Sequence, residues 1–171
     1  YIKGVAWALN ERGERLRGFE GVMAGDVPLG AGLSSSAAVE MAASRAFVAV
    51  SCGEWKPVEM ALSAQRAENQ WVGVNCGIMD QMISATGESG HAVLIDCRSL
   101  ALAPVPLPDD VVVVVMDTAT RRGLMDSAYN ERRAQCEPRQ AALREQALDR
   151  GERHRARHDP EQAVVGLQRR K

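Results

Sequence analysis

Pro28-Leu-Gly-Ala-Gly-Leu-Ser-Ser-Ser-Ala37 combines a turning backbone with the opening of a helix. Gly30 and Gly32 allow the chain to bend sharply and to approach a ligand closely. Three serines, Ser34 to Ser36, then lead into an alanine-rich run. Ser34 to Val50 offers Ala37, Ala38, Met41, Ala42 and Phe47 for burial, so it is predicted to be a helix with a tight-packing face. A helix N-terminus presents N–H groups without intrahelical partners and the positive end of the helix dipole, and serine hydroxyls add donors. Such a segment is equipped to hold an anion, for which a nucleotide phosphate is the natural candidate. It is not a Walker A loop, because no Gly-Lys-Ser/Thr follows, and Ser35 stands where a dinucleotide-binding fingerprint needs its third glycine. An ordinary glycine-rich loop with a serine N-cap is the alternative, and the loop alone leaves both open.

Upstream, apolar Ile2, Val5, Ala6 and Leu9 form a helical stripe, and the charged, glycine-bearing Glu11–Gly18 is a predicted turn. Phe19 to Val27 mixes β-formers with glycine and is expected to be a strand entering the loop. Downstream, Cys52-Gly53 breaks the chain, and Pro57 opens a second helix through about Gln70. Gly73 and Gly77 bracket a loop, Ile78 to Ala85 resumes helical character, and Gly87 to Gly90 ends it. Ala92–Asp96 and Val111–Met116 are β-rich, and the second, lacking alternation, is expected to be a strand buried on both faces. Pro104, Pro106 and Pro108 keep the connection extended. Helix is expected around Met125–Cys136, cut at Pro138. The mixed order of elements favours an α+β fold with helices on a mixed, largely antiparallel sheet over a doubly wound one.

The 171 residues carry 21 Lys+Arg and 22 Asp+Glu, with 46% hydrophobic residues, an ordinary globular composition. Up to Glu137 there are 12 basic and 17 acidic residues, and from Pro138 there are 9 and 5, so an acidic body is averaged with a basic tail. That balance argues against nucleic-acid binding by bulk charge. No apolar run nears the roughly 18 residues of a membrane span. Cys52, Cys76, Cys97 and Cys136 form no Cys-x-x-Cys pair and suit reduced, cytosolic thiols. His154 and His158 have helical metal-ligand spacing, but Arg153, Arg155 and Arg157 repel a cation. His91 has no evident partner, and Trp7, Trp55 and Trp71 suit packing.

The loop at Pro28–Ala37 resembles the phosphate-binding motif of the GHMP small-molecule kinases, galactokinases in particular. Three further segments follow in the family's order. Ala67-Glu-Asn-Gln-Trp-Val-Gly-Val-Asn-Cys-Gly-Ile-Met-Asp-Gln81 is similar to the galactokinase segment with the catalytic aspartate. Gly90-His-Ala-Val-Leu-Ile-Asp-Cys-Arg-Ser-Leu100 resembles the next strand and turn, and Tyr129-Asn-Glu-Arg-Arg-Ala-Gln-Cys-Glu137 the next helix.

The resemblance implies a GHMP kinase fold with an N-terminal lobe like the second domain of a small-subunit ribosomal protein. Residues 1–137 would be a partial ATP- and sugar-binding domain reaching toward a second lobe, and 138–171 a basic helical or disordered tail. It also implies transfer of the γ-phosphoryl group of MgATP to the 1-hydroxyl of galactose. Gly30, Ala31, Gly32, Leu33, Ser34, Ser35 and Ser36 would wrap the phosphates, and Ser36 and Glu68 would ligate Mg²⁺. Asp80 would be the catalytic base, with Gly77 and Tyr129 lining the sugar site. A cytoplasmic monomer binding ATP and galactose, and neither nucleic acid nor membrane, is expected.

The family's N-terminal sugar-recognition motif, with its catalytic arginine, and its C-terminal glycine-rich motif are not found. The chain is therefore expected to be the central part of a larger kinase and inactive alone. A non-catalytic ATP/galactose sensor, or a kinase for N-acetylgalactosamine or another sugar, is the alternative.

Overall fold

The computed structural model describes residues 1–116 and 128–155. Its contacts divide the chain into two units, Tyr1–Tyr129 and Asn130–Lys171. In the first, four helices assemble around a shared core. Helix α1 (Ile2–Glu11) buries Gly4, Val5, Ala8 and Leu9, spaced to form one stripe. Gly4 is there because Trp71 lies on it: an added Cβ would stand 3.1 Å from the indole. Helix α2 (Ser35–Val50) buries Ala37, Met41 and Phe47 as expected, while Ala42 is exposed and Ala43 is buried instead. Helix α3 (Pro57–Arg66) has its proline in the first turn, where a missing N–H costs nothing. Met60, Ala64 and Ala67 join Val5, Leu9, Met41 and Phe47 in the main apolar cluster.

Helix α3 runs directly into a π-helical turn (Ala67–Val72), a wider winding that ends at Gly73 with φ +88°. The helix expected to Gln70 is thus two kinds of winding, and π-turns of this kind are frequent at functional sites. Helix α4 (Met79–Thr86) buries Gln81 and Met82 and packs against α3 and α2. Arg12 and Glu59 pair across α1 and α3, and Arg66 reaches Glu11 at 3.6 Å. Arg66 also stacks 4.8 Å over Trp7, which meets Trp71 at 5.8 Å, so these two tryptophans do serve packing.

Strands β1 (His91–Ile95) and β2 (Leu102–Pro106) form an antiparallel hairpin in which His91 faces Pro106 and Ile95 faces Leu102. Asp96 builds the turn by accepting from the N–H groups of Arg98 and Ser99 at 2.9 and 3.4 Å. Ile95, Leu100 and Leu102 pack on a second cluster of Ala61, Ile78 and Met82. The fold is α+β, helices with a small antiparallel sheet.

Three expectations fail. Phe19–Val27 forms no strand; the segment is irregular and mostly exposed, although Phe19 stacks edge-on against Phe47 at 5.1 Å. Val111–Met116 is neither a strand nor buried. A strand goes inside only when a neighbour takes its N–H and C=O groups, and among the described residues the only strands, β1 and β2, pair with each other. Pro138 does not cut the helix, since α5 (Ala128–Arg155) passes through it. Strong helix formers on both sides carry the ladder past the lost bond, helped by Arg133 and Glu137 paired at 3.1 Å one turn apart. Among the described residues no helix is long and apolar enough to cross a membrane.

Candidate active site

The Pro28–Ala37 loop winds through three left-handed residues: Gly30 (φ +67°), Gly32 (φ +77°) and Ser34 (φ +55°). The two glycines take this region without strain, whereas Ser34 holds it at a steric cost. Ser34 is the residue before α2, and its carbonyl accepts the N–H of Ala38 at 3.0 Å. Its hydroxyl makes no cap to the helix. The first-turn N–H groups of α2 are therefore left facing the loop, as an anion cradle requires. Ser36 is half-buried, one helical turn before Glu40 and on the same face.

The acidic segment is fastened at several points. Glu68 is 3% exposed, and its Oε2 accepts from Gln81 Nε2 at 2.7 Å and shares the Cys76 thiol with Asn69 Oδ1, each at 3.3 Å. The Glu68 carbonyl accepts the N–H groups of Gly73 and Val74 at 3.0 and 3.1 Å. Asn69 Oδ1 accepts the Cys76 N–H at 3.0 Å, and Gln65 donates to the Cys76 carbonyl at 3.3 Å. Burial, and then the charge of Glu68, push the Cys76 thiol up to about 12, so it stays protonated as a donor and is a poor nucleophile. These bonds fix the loop that delivers Gly77 and Asp80.

Gly77 is exposed, and a Cβ placed on it would meet nothing within 4 Å. Asp80 stands half-buried in the first turn of α4. It is not a local cap or ion-pair partner: among the described residues its carboxylate makes no hydrogen bond or salt bridge. Tyr129 lies in the first turn of α5, and its side chain falls outside the described residues, as do Met125 and His158. His91 does have a partner, since its Nδ1 lies 3.0 Å from the Ser89 carbonyl.

Two residues join this cluster that motif reading passed over. Glu40 and Gln81 are both fully buried, and Gln81 Nε2 donates to Glu40 Oε2 at 3.1 Å. Burial and the neighbouring Glu68 raise the Glu40 carboxyl to about 8. Among the described residues Glu40 Oε1 and Gln81 Oε1 are buried without a partner, and a proton on Glu40 would add one donor to this pair. A signal was available: Glu40 falls in the α2 stripe of Ala37, Met41 and Ser44, a charged residue at apolar spacing.

A serine hydroxyl and a carboxylate are hard oxygen donors of the kind Mg²⁺ takes while keeping several waters. The two donors to Glu68 converge on Oε2, and neither takes Oε1. Ser36 and Glu68 therefore fit a magnesium ion chemically.

The model of the GHMP kinases N terminal domain matches residues 1–88, which hold α1 to α4. The galactokinase of Lactococcus lactis, solved in complex with galactose, superposes with a TM-score of 0.70 at 33% identity. The match covers 86% of this chain and 38% of that one, so the chain spans well under half of that protein's length. With its four helices, serine loop and acidic segment in one family domain, the chain belongs to the GHMP kinases.

Proposed function

We propose that the protein carrying these residues is a galactokinase. It transfers the γ-phosphoryl group of ATP to the 1-hydroxyl of galactose, in galactose metabolism. The observation that carries this reading is the joining of three elements. Helix α2, headed by the serine loop, is tied through Gln81 to the π-turn with Glu68 and to the first turn of α4 with Asp80.

In this reading the loop residues Gly30 to Ser36 hold the β- and γ-phosphates through N–H groups and hydroxyls. Ser36 and Glu68 would hold Mg²⁺, which supplies charge neutralisation on the phosphates when bound. Asp80, whose carboxylate makes no hydrogen bond or salt bridge among the described residues, accepts the proton of the sugar hydroxyl. As it does so the sugar oxygen bonds to the γ-phosphorus, the bond from phosphorus to the β,γ-bridging oxygen breaks, and ADP leaves. Gly77 leaves room for the sugar to approach the backbone. The lack of a cysteine pair among Cys52, Cys76, Cys97 and Cys136 supports a reducing, cytoplasmic setting, and a monomer is proposed.

The activity is proposed for the protein as a whole; the 171 residues alone are expected not to turn over. The test is Asp80→Ala in the complete kinase. Galactose-dependent ADP release should fall about 10²–10⁴-fold while the thermal midpoint holds. Unchanged turnover would remove Asp80 from the reaction. N-acetylgalactosamine in the same assay decides the sugar, and a preference for it would overturn the galactose assignment.

A further inference from the structure

One nitrogen of Gln81 meets two buried acids. Its Nε2 donates to Glu40 Oε2 at 3.1 Å and to Glu68 Oε2 at 2.7 Å. A side-chain amide nitrogen carries two protons, and these two oxygens are its nearest acceptors, with the Cys76 sulfur farther off at 3.7 Å. The three residues come from three elements. Glu40 is on α2, one turn beyond Ser36; Glu68 is in the π-turn; Gln81 is on α4, next to Asp80.

The chemistry tolerated at this position is narrow. Two buried acids drawn to one point are each costly to leave without a donor. Glutamine donates twice, adds no charge and spans the gap. Asparagine is one methylene short, and an apolar side chain leaves both acids without the bond. The bond to Glu68 has a direction as well. Gln81 and Cys76 both engage Oε2, and among the described residues Oε1 takes no hydrogen bond.

We propose that Gln81 is a positioning residue of the phosphoryl-transfer site. It locks Glu68 in the rotamer that offers its second oxygen to a divalent cation, and it ties the turn bearing Asp80 to the helix headed by the serine loop. This rests on Glu68 being the acidic cation ligand proposed above. Removing a hydrogen-bond partner that orients a metal ligand commonly costs about 10–100-fold in metal affinity.

Mn²⁺ replaces Mg²⁺ as a probe that can be counted. Electron paramagnetic resonance of free Mn²⁺, in the presence of ADP, gives its affinity for the full-length protein and for four variants. Gln81→Met keeps the length and removes both donors. Gln81→Asn keeps the amide but shortens its reach, and serves if the first variant fails to fold. Glu68→Gln tests the underlying ligand assignment. Ser44→Ala is the structural control, because its buried hydroxyl donates to the Glu40 carbonyl at 2.8 Å and touches neither carboxylate group.

Both Gln81 variants should weaken Mn²⁺ binding about 10–100-fold, Glu68→Gln should weaken it at least as much, and Ser44→Ala should leave it within about twofold. Weak binding in Glu68→Gln beside unchanged binding in the Gln81 variants overturns this inference alone. Equal weakening by Ser44→Ala overturns it too, by reducing Gln81 to a general structural role. Unchanged affinity in Glu68→Gln, or no binding by the unaltered protein, overturns the ligand role of Glu68 and this inference with it.

Discussion

The most polar cluster of the first unit lies deeper than its most apolar run. Glu40 and Gln81 are 0% exposed and Glu68 3%, whereas Val112 is 83% exposed and Met116 85%. Hydrophobicity alone predicts the reverse. The difference teaches that burial follows the supply of partners. A helix completes its own backbone hydrogen bonds, so α2 and α4 can carry Glu40 and Gln81 inside with a single shared hydrogen bond, although one oxygen of each stays unpartnered among the described residues. An extended segment brings unpaired backbone with every residue, and five valines do not remove that cost. The β1–β2 hairpin shows the same rule satisfied, because each strand answers the other's backbone.

If the helical half holds the core, truncating it should hurt most. Leu9 and Met60 are 0% and 1% exposed within one cluster. Leu9→Ala or Met60→Ala should each cost about 2–5 kcal/mol, read as a lowered midpoint in urea denaturation. A loss under about 1 kcal/mol would mean that the cluster is loosely packed and would blur the contrast with the exposed valines.

The buried acids offer a second, smaller test with a sign. Glu40 is raised from 4.5 to about 8, first by burial and then by the charge of Glu68. Below about pH 4.5 both folded and unfolded chains hold the proton, and stability is at its full value. Between about 4.5 and 8 the unfolded chain releases it while the folded one keeps it, so stability falls as pH rises and levels off above 8. Glu40→Gln holds no titrating proton and should flatten this slope. At pH 8 it should be more stable than the parent by on the order of 1–2 kcal/mol, allowing for relaxation around a buried charge. Thermal midpoints at pH 5 and pH 8 for both proteins give the answer. A parent whose stability rises over that range would show that Glu40 folds in its charged form.

The sequence was legible where a residue's role is local. Gly30 and Gly32 announce sharp turns and Pro57 a first helical turn; each is decided within a few residues. The serine loop and the acidic segment were legible as motifs for the same reason. What stayed hidden is set by distance along the chain. Gln81 meets Glu40 across 41 positions, and no spacing rule links them. The Cys76 thiol meets Glu68 across eight positions, beyond a π-turn that the composition of Ala67–Val72 does not announce. Val111–Val115 misled because β-propensity measures how a residue fits a pleated, half-buried surface, and supplies no neighbour to complete one.

The same run gives the smallest expected effect. Val113 is 72% exposed, and an exposed substitution away from special features changes stability by no more than about 0.5 kcal/mol. Val113→Ser should therefore leave the urea midpoint nearly in place. Serine also lowers β-propensity, so a paired strand would register the change where an unpaired one does not. A loss beyond about 2 kcal/mol would show that a neighbouring strand covers Val113 in solution. The contrast between satisfied helices and an unanswered strand would then break at this residue, while the burial of Glu40, Glu68 and Gln81 would stand on its own hydrogen bonds.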